Sequence, residues 1–154
     1  MNTSSSMAGL CYNFGKLLLV VALIGQGYLT LTTPQIRADW NNNVQKLAKN
    51  YESLQFWGLL IPFSERIVLA LAGIQLTAFF LLFSNRLSLV ALLNVLALVL
   101  FTIVMGNPSL YKTYENQLET SHAMLKYLAT IGGLLWYIAY PGEEKLARGK
   151  VKTE

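Results

Sequence analysis

One cysteine, Cys11, and one histidine, His122, are all that the 154 residues hold of the two softest metal-ligating side chains. A single cysteine excludes an internal disulfide. The same scarcity excludes a bis-histidine haem, a zinc cluster or an iron–sulfur centre built by this chain alone. No metal, cofactor or catalytic residue is assigned from the sequence. Charge is the second shortage: Asp, Glu, Lys and Arg make up 13% of the chain, against about 25% in soluble domains. Residues 67–85 and 87–111 carry no charge, and only Arg86 separates them.

What fills those stretches is hydrocarbon. A helix rises about 1.5 Å per residue and a bilayer core is about 30 Å thick, so roughly 20 apolar residues cross it. Both runs are long enough, and Ser84-Asn85-Arg86 is too short a connection for anything but a tight antiparallel hairpin. A further apolar run covers residues 17–32 and a shorter one residues 127–140, the latter flanked by Lys126 and Glu143 and ended by Pro141-Gly142. The reading is an all-α integral membrane four-helix bundle, with spans at about 17–32, 67–83, 87–107 and 127–140. Residues 1–142 form one membrane domain, and 143–154 form a solvated, mainly basic tail. The net charge of +4 has its excess in that tail, which suits anionic headgroups or a protein partner rather than nucleic acid. Four spans place both termini and Arg86 on one side. Lys and Arg then balance across the bilayer, so the positive-inside rule does not orient the chain.

Two connecting segments are amphipathic. Thr33-Pro34 signals a helix start, a capping hydroxyl followed by proline at the first helical position. Beyond it Trp40, Val44, Leu47, Tyr51 and Leu54 recur at helical spacing, with Asn41–Asn43, Gln45, Lys46, Lys49 and Asn50 between them. A helix over 34–54 with one apolar stripe is expected, lying flat in the membrane interface or packed on a neighbouring subunit. Tyr111, Tyr114, Leu118, His122 and Leu125 mark a second such helix over 108–125. Phe56-Trp57 begins an interfacial aromatic cluster before the second span.

Within the spans the informative residues are polar or small. Gln26, Gln75 and Asn94 sit in apolar runs, where an unsatisfied amide is costly, so each needs an interhelical hydrogen bond or contact with a lipid or quinone. Gly25, Gly27, Gly73, Thr77, Ala129 and Gly133 are the expected close-packing positions between helices. The expected partners are membrane lipids and other subunits of a hetero-oligomeric membrane complex.

AGIQLTAFFLLFSNRLSLVALL (72–93) and LKYLATIGGLL (125–135), set in a four-span pattern with a long polar insertion after the first span, resemble the DoxX family. The first stretch is similar to that family's apolar run, short Arg-bearing turn and renewed apolar run, and the second to its Lys followed by Gly-Gly-Leu-Leu. Where many members carry a Glu in the second span this chain has Gln75, and Ala78 and Phe79 stand in place of the glycines that follow. The resemblance implies quinone-coupled oxidation or partnership with membrane oxidoreductases. Because the spans supply amides and hydroxyls but no acid, base or metal ligand, the first expectation is a non-catalytic accessory or assembly subunit of a larger complex, a mitochondrial respiratory-chain complex of the inner membrane. Its alternatives are a quinone-interacting oxidoreductase component and a receptor-like or transport protein of the secretory pathway. A bacterial cytoplasmic membrane and the endoplasmic reticulum are the corresponding alternative locations.

Overall fold

Pro34 begins a new helix where the sequence places the break, because its ring fixes φ and its missing N–H costs nothing in a first turn. α1 (Thr3–Thr32) ends immediately before it and α2 (Pro34–Asn50) follows. Thr33 occupies the N-cap with extended backbone, but its hydroxyl makes no capping bond. The Arg37 guanidinium instead donates to the carbonyl of Leu31 and so closes the end of α1. The computed structural model describes residues 3–52, 55–83 and 88–139, with side chains from residue 10 onward. The expected Ser84-Asn85-Arg86 turn, Leu54, the Pro141-Gly142 stop and the basic tail lie outside the described residues.

Every element among the described residues is helical: α1 and α2, then α3 (Gln55–Leu60), α4 (Ser64–Leu76), α5 (Ser88–Met105) and α6 (Tyr114–Ala139). Three short 3-10 segments, Ile61–Phe63, Thr77–Leu82 and Pro108–Leu110, adjoin them. Pro62 interrupts the path from α3 to α4, and α3 leans on α2. α1 runs antiparallel to α4: Lys16 of α1 donates to the carbonyl of Leu82 at 3.3 Å, while Gly27 meets Ala72 and Gln75. α5 packs along α6, and α6 also touches α1, where Tyr12 lies 5.4 Å from Trp136 between ring centroids.

Among the described residues, three helical stretches are long and apolar enough to cross a membrane: Leu10–Thr32, Gln55–Leu82 and Ser88–Leu110. The second therefore begins earlier than the expected residue 67, because α3 and the Ile61–Phe63 turn extend it. α6 is long but divided in character. Its first half carries Glu115, Glu119 and Lys126, and its uncharged remainder, 127–139, is shorter than the roughly 20 residues a crossing needs. The expected separation of a helix over 108–125 from a span over 127–140 is absent, since α6 is continuous from Tyr114 to Ala139. No Gly or Pro stands between 114 and 131 to break it. Asn107 caps only the Pro108–Leu110 turn, accepting from the Ser109 amide at 3.1 Å and the Ser109 hydroxyl at 2.7 Å.

The larger difference concerns α2. The first three residues of its stripe turn inward: Trp40, Val44 and Leu47 are buried against Val68 and Leu71 of α4 and Ala97, Phe101 and Val104 of α5, while Tyr51 is exposed. α2 thus lies against the helical core with one face buried, while Gln35, Gln45, Lys46 and Lys49 on its other side are exposed. A second cluster, around Val20, Leu23, Leu81, Leu98 and Leu134, closes the other end of the bundle.

Candidate functional site

The three amides singled out by the sequence all lie inside. Gln75 on α4 and Asn94 on α5 are fully buried, and Gln26 on α1 is half-buried. α1 reaches α4 here through Gly27. A methyl group at Gly27 would sit 2.8 Å from the Ala72 carbonyl oxygen and 3.1 Å from Cβ of Gln75, so only glycine permits this approach. Both side-chain atoms of Gln75, Nε2 of Gln26 and Oδ1 of Asn94 are buried without a hydrogen-bond partner. Asn94 Nδ2 donates back to the Val90 carbonyl of its own helix at 2.9 Å. Two donors and two acceptors are therefore unmet at the centre of the bundle, each at a cost of about 1–3 kcal/mol. Amides neither ionise nor transfer protons at ordinary pH; what this set can do is hydrogen-bond.

The structure adds polar contacts among residues that the sequence placed between or beside the apolar stripes. Asn43 is buried: its Nδ2 donates to the Tyr111 hydroxyl at 3.1 Å and lies 3.8 Å from the Met105 sulfur. The Lys46 ammonium stands 4.6 Å over the Tyr111 ring, a cation–π contact. Ser64, at the start of α4, donates to Asn41 at 2.7 Å. A signal for Asn43 was present, since it lies three residues after Trp40 and four before Leu47 and so on the apolar stripe itself.

The small residues divide. Gly27 and Gly133 face neighbouring helices within the chain, the latter with a would-be Cβ 3.0 Å from the end of the Leu19 side chain. Gly25 and Gly73 meet nothing, Ala129 is exposed, and the Thr77 hydroxyl donates to Ile74 of its own helix at 2.6 Å. A close approach to α6 not expected from the sequence is made by Gly106, just after α5. At Gly106 a Cβ would lie 3.1 Å from the Met124 backbone. His122 is exposed on α6, and no group of three His, Cys, Asp or Glu side chains comes together among the described residues.

Beside α2 lies a cavity of about 160 Å³. Trp40, Val44 and Val104 form its floor, and half-buried Trp57, Leu60, Ile67 and Leu100 form its walls. Compared with protein-family models, with curated proteins and with solved structures, the chain matches none.

Proposed function

We propose that this chain is a non-catalytic accessory or assembly subunit of a larger membrane complex, crossing the bilayer four times with 127–139 of α6 as part of the fourth crossing. The observation that carries the reading is the outer row of α6. Tyr114, Leu118, His122 and Leu125 are all exposed, on the half of the helix that also holds Glu115, Glu119 and Lys126. Charged residues keep that half out of hydrocarbon, so its apolar row needs a partner or the membrane interface to cover it. Gly25 and Gly73 support the same reading, because their open faces allow another helix to approach closely. The described buried polar side chains, Thr30, Asn43, Ser64, Gln75, Asn94 and Thr120, are all uncharged. Acid–base catalysis normally relies on positioned titratable groups.

The resemblance of 72–93 and 125–135 to the DoxX family makes a respiratory-chain complex of the mitochondrial inner membrane the specific assembly of this proposal. The quinone-interacting reading keeps one observation in its favour, the unmet amides of Gln75 and Asn94.

The test is a native gel after mild extraction. Leu118→Gln alters a side chain that is 46% exposed, and Gly73→Leu a position where a Cβ meets nothing, so each should release the protein from its complex while its own thermal stability holds. Wild-type protein that migrates alone under the gentlest extraction and turns over a quinone by itself overturns the proposal. Protease protection in sealed vesicles that puts the two termini on opposite faces removes the four-span topology.

A further inference from the structure

The cavity beside α2 has an origin in the sequence. The helical path tightens into a 3-10 turn at Pro62 between α3 and α4, and α3 leans on α2. The space between α3 and the α4–α5 pair is left unfilled by any side chain of the described residues. Its floor is core, with Trp40 and Val44 each 2% exposed and Val104 1%. Phe56 stands exposed at its rim, in edge-to-face contact with Trp57 at 5.5 Å between centroids.

Three features identify the occupant. Ser64 is the one polar residue of the lining and its hydroxyl donates to Asn41; the unpartnered indole N–H of Trp40 is buried, so the surface open to the cavity is apolar and offers a polar head nothing to bind. The walls belong to two stretches that can cross a membrane, Gln55–Leu82 and Ser88–Leu110, and exposed Leu59 and Phe63 stand next in sequence to the lining residues Leu60 and Ser64, with exposed Glu65 and Arg66 following. What stands before the opening in a bilayer is therefore lipid. The volume, about 160 Å³, is close to the roughly 150 Å³ of an apolar cavity that stays free of water and takes up a benzene-sized molecule of six carbons. We infer that the cavity between α2, α3 and α5 is a binding site for one acyl chain of a membrane lipid, which inserts a terminal segment against Trp40 and Trp57. Between hydrocarbon and protein there is no hydrophobic driving force; the chain is held by the dispersion contacts that an empty cavity forfeits. The inference rests on the membrane placement proposed above, but not on the accessory role.

Tryptophan fluorescence in vesicles of phosphatidylcholine brominated near the chain end tests it. In W57F/W136F the only indole is Trp40, whose 2% exposure shields it from bulk lipid. In W40F/W57F the only indole is Trp136, 52% exposed on α6, which reports bulk lipid. Trp40 should be quenched to an extent comparable with Trp136, and Leu100→Phe, which fills the cavity, should abolish quenching of Trp40 while leaving that of Trp136 unchanged. Quenching of Trp136 with none of Trp40, or quenching of Trp40 that survives Leu100→Phe, overturns the site. Failure to quench either indole overturns the membrane placement and the inference with it. A second measurement needs no substitution: phosphatidylcholine with a terminal diazirine should label Trp57, Leu60 or Ile67 of the wild-type chain on illumination. Labelling confined to exposed Leu59 and Phe63 overturns the site as well.

Discussion

The indole of Trp40 lies against the ring of Phe101, with centroids 5.1 Å apart and planes tilted by 59°. The contact joins α2 to α5 across residues far apart in the chain, and Phe101 in turn meets Tyr127 of α6 at 6.2 Å. One aromatic stack thus ties together the polar connection, the most apolar helix and the last helix. The segment that follows α1 is a structural member of the bundle.

Truncating that stack should therefore be expensive. Trp40→Ala should lower stability in detergent by about 3–5 kcal/mol, the range for emptying a large buried aromatic site. Trp40→Phe should cost much less, because it keeps a ring against Phe101 and removes an indole N–H that has no partner. Thermal unfolding followed by circular dichroism measures both. Near-wild-type stability of Trp40→Ala would mean that α2 lies on the surface.

Glycine substitutions should separate inward from outward positions. Gly27→Ala drives a methyl group to 2.8 Å from the Ala72 carbonyl oxygen, a backbone atom that cannot yield without moving α4. A loss of about 1–3 kcal/mol is expected from such overpacking. Gly106→Ala should behave similarly against Met124. Gly73→Ala meets nothing and should stabilise the helix by up to about 1 kcal/mol. Denaturant titration of the three variants orders them.

Asn43 and Tyr111 should be energetically coupled. Asn43→Ala and Tyr111→Phe each break the 3.1 Å bond between them, and Tyr111→Phe leaves a buried amide short of a partner. A double-mutant cycle should return a coupling of about 0.5–1.5 kcal/mol. Zero coupling would place both groups in contact with water instead.

Gln75→Leu should not destabilise the protein. Both amide atoms are buried and unpartnered, and exchanging an unsatisfied polar group for an apolar one of similar size should gain about 1–3 kcal/mol. A marked loss of thermal stability would show that Gln75 has a hydrogen-bond partner in the membrane, with Gln26 the adjacent donor to examine first.

The length and apolarity of the runs in α1, α3–α4 and α5 were legible from the residues, because a missing charge over such a distance has few outcomes other than a buried or membrane helix. The break at Thr33-Pro34 was equally local, since it depends only on proline's ring. The interior position of Gln75 and Asn94 followed from the apolar residues on either side of them. Periodicity also marked 34–50 as a helix with one distinct face. It could not say what covers that face, because lipid, a neighbouring subunit and the chain's own core all ask for the same side chains. Only the packing of α2 onto α4 and α5 decided it, and with it the burial of Asn43. The same holds for the glycines. Their spacing is alike at Gly27 and Gly73, but which of them meets a helix depends on the rotation of each helix about its axis, set by the sum of contacts along the bundle. The continuity of α6 through Lys126, by contrast, was written in the residues: charges do not break a helix, and no proline or glycine stands between 114 and 131.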